Sequence, residues 1–199
     1  ASRSRGGEKS IVNLRFAAQE DVPALLDIYA QYIPTTATFE YELPSQNEFS
    51  RRMGSYSAIY PYLVAEDSGS ILGYAYAHRY AERAAYGWGA ELSVYLRPDF
   101  TGRGLGKRLY RTLLELLRLQ GVQTAYGLVT SPNPASESLH RCIGFRLVGV
   151  DRNAGYKNGQ WIDLLRFEKG IGSYCTNPPP VLPVGQLPAG QIQEILENF

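Results

Sequence analysis

Only two of the 199 residues are cysteine, Cys142 and Cys175. That excludes a disulfide framework and a cysteine-built zinc site, so no metal is expected. A reducing cytoplasm is the default compartment for such a chain. No run of about 18 apolar residues occurs, which excludes a transmembrane helix. Charge of one sign is also missing. The net charge of +1 gives no broad basic field, so neither nucleic acid nor a membrane surface is expected as a partner. The opening ten residues, ASRSRGGEKS, lack the apolar core of a secretory signal and read as a flexible leader. No internal repeat is visible.

What is present is a globular composition, 44% hydrophobic and 20% charged, enough for one well-filled core. We expect a domain over residues 11–169. From 170 the character changes. The stretch GIGSYCTNPPPVLPVGQLPAG is rich in proline and glycine and has no periodic pattern. Ile192, Ile195, Leu196 and Phe199 then recur at helical spacing. This tail either is disordered or lies across the domain or a partner subunit. Its composition alone leads us to expect that deleting residues 170–199 leaves a folded domain.

The most informative stretch is ELSVYLRPDFTGRGLGK, residues 91–107. Leu92, Val94 and Leu96 alternate with Ser93 and Tyr95, the period of a strand, and Pro98 ends it. Leu105, Leu109, Leu113, Leu116 and Leu117 then mark one face of a helix. The glycines 102, 104 and 106 therefore stand where a strand turns into a helix. A helix start offers unpaired N–H groups and partial positive charge, and glycine lets a pyrophosphate approach the backbone. Arg103, Lys107 and Arg108 add full charges. A P-loop is disfavoured, because Thr101 stands where its first glycine belongs and Arg108 where Ser or Thr belongs. A dinucleotide fingerprint needs its third glycine at Lys107. A phosphate cradle and a plain glycine-rich turn opening a helix remain.

Elsewhere, residues 11–17 read as a strand. Asp21 is the expected N-cap of a helix with Pro23 in its first turn. The segment TTATFE (35–40) is irregular, and the capping-box pattern from Ser45 to Glu48 opens a second helix to about Tyr56. Tyr62–Glu66 and Ile71–Ala77 read as a hairpin around Asp67-Ser68-Gly69-Ser70. The loop 78–90 is aromatic and basic. Thr124–Thr130 is a strand. Asn133 caps a short helix to about Cys142, which Gly144 ends. Phe145–Val150 and Trp161–Glu168 close the domain, joined through a turn with Gly155, Asn158 and Gly159. Apolar neighbours suggest that Cys142 is buried packing rather than a nucleophile.

The pattern P-x-x-x-G-x-G-L-G after a strand resembles the coenzyme A signature of the GNAT acetyltransferases. Further segments resemble the phosphinothricin and methionine-sulfoximine branch: TTATFE, YPYLVAE, GYAYAHRYAERAAYGWGAELSVYL, GRGLG, NPASESLHRCIGF and KNGQWID. They occur in family order over residues 12 to 168. The resemblance implies an α/β GNAT fold: a mixed, mostly antiparallel sheet flanked by helices, ordered β-α-α-β-β-β-α-β-α-β-β. It implies acetyl-CoA as co-substrate, a small amine acceptor and a homodimer.

It also implies roles. Glu91 matches the family's catalytic glutamate, and its apolar neighbours would raise a carboxylate toward the working pH. Val94, Tyr95 and Leu96 supply backbone contacts to the pantetheine arm. Gly102, Arg103, Gly104, Leu105, Gly106 and Lys107 form the phosphate cradle, and Asn133 contacts the coenzyme. Thr101 departs from the Arg or Gln common there, so the phosphates would rest on the backbone and on Arg103 or Lys107. His140 stands seven residues after Asn133, where many members carry a tyrosine acid. It is either that acid or a structural histidine. Phe39, Glu40, Arg83, Tyr86, Ser93 and Glu91 line the acceptor site, with Arg83 as ligand to an anionic group. Acceptors of the phosphinothricin, methionine sulfoximine and methionine sulfone type lead. Another primary amine, such as a peptide N-terminus or polyamine, and a non-catalytic acyl-CoA-binding module are the alternatives.

Overall fold

A computed structural model describes residues 11–199; the expected leader 1–10 lies outside the described residues. The elements are β1 (Asn13–Phe16), α1 (Val22–Ala30), α2 (Gln46–Ser57), β2 (Tyr62–Asp67), β3 (Ser70–Arg79), β4 (Gly89–Leu96), α3 (Leu105–Gln120), β5 (Thr124–Ser131), α4 (Pro134–Cys142), β6 (Arg146–Lys157), β7 (Gln160–Gly170) and α5 (Ala189–Asn198). This is the expected order, and α5 is the short helix expected at the end of the tail. One seven-stranded sheet runs β1-β2-β3-β4-β5-β7-β6. Every pairing is antiparallel except β4 with β5.

The period of two divides the core. Leu63, Ala65, Ala75, Ala90 and Leu92 face α3, whose leucines 109, 113, 116 and 117 are fully buried. Tyr62, Val64 and Tyr74 face the other way and pack on α1 and α2 through Leu25, Ile28, Tyr29, Phe49 and Met53. Strand β2 is buried on both faces, so it reads as a continuous apolar run.

Three local expectations change. Asp21 does not cap α1 with its side chain. Its carboxylate instead accepts two hydrogen bonds from Arg15 at 2.8 and 2.9 Å, and one from Ala18 N–H at 2.7 Å. Arg15 holds the Asp21 carboxyl below the usual carboxylate range, against the opposing effect of burial. A depressed value means that this stability is present above the unfolded-state value and is lost as pH falls through the folded one. Asp21→Asn is expected to cost about 1–2 kcal/mol at neutral pH. Thermal unfolding checks it: the gap from wild type narrows as the pH is taken into the acid range.

The second change is at Ser45. Its hydroxyl accepts from Glu48 N–H at 3.1 Å, but Glu48 turns to Arg51 and Arg52 rather than closing the box. The third is in the last hairpin. Strand β6 runs through Gly155 to Lys157, with register shifts on the way, and the turn is only Asn158-Gly159. Both have positive φ, 52° and 75°, as a two-residue hairpin turn demands.

The tail is packed on the domain. Ile171 and Leu187 are buried, and Val181, Ile192, Ile195 and Leu196 lie against the α3-side core. Gln120, fully buried on α3, donates to Ile59 O and Leu182 O, both at 2.7 Å. Leu182 N–H and Val184 N–H bond Gln120 O and Ile59 O in return. Among the described residues no helix is long and apolar enough to cross a membrane.

Candidate active site

The site begins with strands that part. Strand β4 pairs with β5 only over Gly89–Glu91 and Thr124–Tyr126, although β4 continues to Leu96 and β5 to Ser131. Arg97 N–H bonds Leu72 O and Tyr80 N–H bonds Gly89 O. Antiparallel pairing thereby turns the backbone groups of odd-numbered β4 residues toward β3 and those of Leu92, Val94 and Leu96 toward β5. Beyond Glu91 there is no strand opposite. The amide and carbonyl of Val94 therefore face the gap. Those of Leu96 are held by Tyr32, whose hydroxyl donates to Leu96 O at 2.6 Å and accepts from Leu96 N–H at 3.2 Å.

The gap opens into a cleft of about 470 Å³ between β4, β5, the start of α3 and α4. Val94, Tyr95, Leu96, Ser93, Gly102, Gly104, Gly106, Lys107, Asn133 and His140 all line it. Gly102 and Gly104 take positive φ, 72° and 82°, which a side chain would strain. Gly104 is the N-cap of α3 and supplies no side-chain acceptor. The first N–H groups of α3 therefore present themselves to the cleft, as an anion requires.

The three cationic neighbours separate. Lys107 lines the cleft, Arg103 stacks over Phe100 at 5.0 Å, and Arg108 donates to Val12 O at 2.6 Å on the other side of the helix. Leu105 is a core residue. Asn133 accepts from Ser136 N–H at 3.3 Å, capping α4 while it faces the cleft. Cys142 is exposed and lines the cleft, contrary to the expectation of burial. It ends α4 at the open cleft, whereas the next residue, Ile143, is buried.

Glu91 stands where the split starts, with its side chain only 18% exposed. Burial pushes its carboxyl up, while the charges of His78 and Arg166 oppose that shift. His78 Nε2 is 3.8 Å from Glu91 Oε1. Tyr76 lies on the same face, its phenol pushed up to about 12 by burial.

His140 is 2% exposed, between Phe145, Phe167 and Tyr110. Its Nδ1 lies 2.7 Å from Ser136 O, which fixes the proton there. Nε2 then carries a lone pair that meets no partner among the described residues, directly over Gly127, where a Cβ would strike the ring. Burial pulls the His140 pKa down. The imidazole is thus neutral.

The expected acceptor residues do not all converge. Glu40 accepts from Arg52 Nη1 at 2.7 Å and from Tyr29 Oη, beside a small aromatic cavity. Phe39 covers Gly155, where a Cβ would come within 2.7 Å of its ring. Arg83 and Tyr86 are exposed on the β3–β4 loop; Tyr86 lines a separate surface hollow with Trp88 and Tyr174. Sequence reasoning missed Tyr32 and Arg166, which come from α1's end and from β7 and carry no local signal.

The family model described as an acetyltransferase (GNAT) domain matches residues 14–165. The chain is 39% identical over 171 residues to phosphinothricin N-acetyltransferase of Alcaligenes faecalis, covering 83% of this chain and 86% of that one. It is 35% identical over 157 residues to the L-methionine sulfoximine/L-methionine sulfone acetyltransferase of Pseudomonas paraeruginosa, covering 76% and 90%. Its fold superposes on a GNAT superfamily phosphinothricin acetyltransferase from Sinorhizobium meliloti, solved in complex with AcCoA. The TM-score is 0.82 at 32% identity, over 88% of this chain and 97% of that one. A parted β4–β5 pair, a glycine cradle at a helix start and these likenesses together place the chain in the GNAT family of N-acetyltransferases.

Proposed function

We propose that the enzyme transfers the acetyl group of acetyl-CoA directly to the α-amine of a small amino acid, of the phosphinothricin, methionine sulfoximine or methionine sulfone type. The observation that carries this reading is the half-buried Glu91 carboxylate at the point where β4 leaves β5. The pyrophosphate rests on the backbone of residues 102–106 with Lys107 beside it, and Arg103 joins by leaving Phe100. Asn133 meets the coenzyme from the cap of α4. The pantetheine arm lies along Val94, Tyr95 and Leu96, replacing the Tyr32 hydroxyl at Leu96.

Glu91 takes a proton from the acceptor ammonium, directly or through one water, and the free amine attacks the thioester carbon. The amide of Val94 donates to the oxyanion, being the N–H that the parted strands leave without a strand partner. Ser93 lies beside Glu91 at the acceptor. The C–S bond then breaks, and the thiolate takes the amine's second proton. His140, with its Nδ1–H donated to Ser136 O and its pKa pulled down by burial, shapes the thiol end of the cleft. Phe39, Glu40, Arg83 and Tyr86 belong to segments that border the acceptor side. A homodimer is part of the reading, supported by the exposed Tyr156 and Trp161 rings at the β6–β7 tip. So is the cytoplasm, supported by two free, exposed cysteines.

Intact-mass measurement after incubation with acetyl-CoA alone tests direct transfer. The chain mass is expected to stay unchanged, and acceptor is expected to release thiol at once. An acetylated chain that passes its acetyl group to acceptor would replace this reading with a covalent route through the exposed Cys142.

A further inference from the structure

Glu91 holds the amine end of the acceptor, but a second charge stands across from it that the transfer itself does not use. Glu91 is the register partner of Tyr126 on β5, and Leu128, two residues on, is the partner of Arg166 on β7. Strand alternation puts Glu91, Tyr126 and Arg166 on one face of the sheet. Two strand spacings and two residues of rise separate the Cα atoms of Glu91 and Arg166 by roughly 12 Å. The positive charge of Arg166 is felt at the Glu91 carboxylate, where it opposes the effect of burial.

Arg166 is held in place yet incompletely used. Its Nε donates to Asp151 Oδ2 at 2.8 Å and its Nη1 to Tyr80 Oη at 3.2 Å. Tyr80 is itself fixed by stacking on Tyr126, ring centroids 3.8 Å apart. The Nη2 donors meet no partner among the described residues, and the side chain is 41% exposed. A guanidinium offers two N–H pairs at the spacing of a carboxylate. Asp151 occupies one edge through Nε. The Nη1–Nη2 edge remains, with the Tyr80 hydroxyl at its rim. Arg83, by contrast, sits on an exposed loop, where its carbonyl accepts from Arg79.

We infer that Arg166 is the anchor for the acceptor's carboxylate, so that the site selects α-amino acids whose carboxyl group is free and presents their amine to Glu91. This rests on the acetyl-transfer reading above. A carboxylate docked on the Nη1–Nη2 edge leaves Asp151 in place, and Tyr80 keeps the guanidinium plane from turning. An amide or ester at the same position forfeits the charge and one of the paired hydrogen bonds. Arg166 is thus a specificity residue touching the substrate away from the reacting atoms.

The test compares L-methionine sulfone with its carboxamide, using wild type, Arg166→Gln, Arg166→Lys and Arg83→Gln. Arg166→Gln is expected to lower kcat/KM for the free acid by about tenfold or more, chiefly through KM, and to leave the carboxamide within about twofold. Arg166→Lys, which keeps the charge without the fork, is expected to recover part of the loss. Equal losses on acid and amide, or loss of discrimination in Arg83→Gln alone, would overturn the assignment. Calorimetric binding of L-methionine sulfone separates this from the transfer reading. Absence of turnover in wild type, with binding that Arg166→Gln abolishes, would remove the transfer and keep the anchor. Equal binding by wild type and both Arg166 variants would remove the anchor whatever the turnover.

Discussion

Replacing Glu91 by Gln is expected to lower kcat by about 100- to 10,000-fold, the usual contribution of a positioned general base, and to leave the Kd for acetyl-CoA unchanged. The two effects are expected to separate because Glu91 stands at the mouth of the split, whereas the cradle and Val94, the proposed coenzyme contacts, lie farther along. The wild-type pH profile carries the same information. A base acts when deprotonated, so kcat/KM falls as pH drops through the Glu91 pKa. Burial places that limb above the ordinary glutamate value, with His78 and Arg166 limiting the rise. Glu91→Gln removes the limb.

Stability distinguishes a lost base from a damaged fold. A carboxyl whose folded pKa is raised is held less readily as an anion in the native state than in the unfolded one. Its charge therefore costs stability as pH rises from the ordinary value through the raised one. Glu91→Gln is expected to leave the melting temperature unchanged or higher at neutral pH. A lower melting temperature with unaltered turnover would make Glu91 a structural residue instead.

Deleting residues 170–199 is expected to unfold or gravely weaken the domain. Ile171 and Leu187 alone bury side chains worth about 1.5–3 kcal/mol each. Net stability of a domain is only about 5–15 kcal/mol. At this chain length a loss of about 3–6 kcal/mol moves the melting point by about 6–24 °C. The deletion also removes Leu182 O from Gln120, Ile171 O from Arg118 (3.0 Å) and Pro179 O from Trp88 (2.8 Å). Gln120 keeps Ile59 O as a partner but loses the tail that buries it on α3. Leu187→Ala is the milder control, at about 2–4 kcal/mol. Cooperative unfolding of the deleted chain at the wild-type temperature would show that the tail is an appendage, as its composition alone suggests.

That contrast shows what a single sequence carries. Helix α3, the cradle and the β2–β3 hairpin were legible because each rests on a local pattern: leucine spacing, glycines at a helix start, alternation around a turn. The tail was not, because proline-rich extended chain makes its contacts one at a time with partners far away, such as Ile59 and Gln120. Asp21 looked like a cap and is an ion-pair partner, since Arg15 competes for the same carboxylate. Cys142 is exposed despite apolar neighbours in sequence, because it ends α4 at the open cleft while Ile143 turns into the core. Glu91 could be named from its surroundings and from family resemblance. Arg166 could not, because its relation to Glu91 exists only across three strands. Tyr32 at Leu96 is likewise invisible before α1 is packed against β4.

The measurement that tests the central claim most directly is the joint appearance of free thiol and N-acetyl product from acetyl-CoA and L-methionine sulfone or phosphinothricin. Thiol release that depends on acceptor and matches N-acetyl-amino acid mole for mole is the result this account predicts. Tight binding of acetyl-CoA with no acceptor-dependent thiol from any α-amino acid, or transfer only to peptides or polyamines, would contradict it.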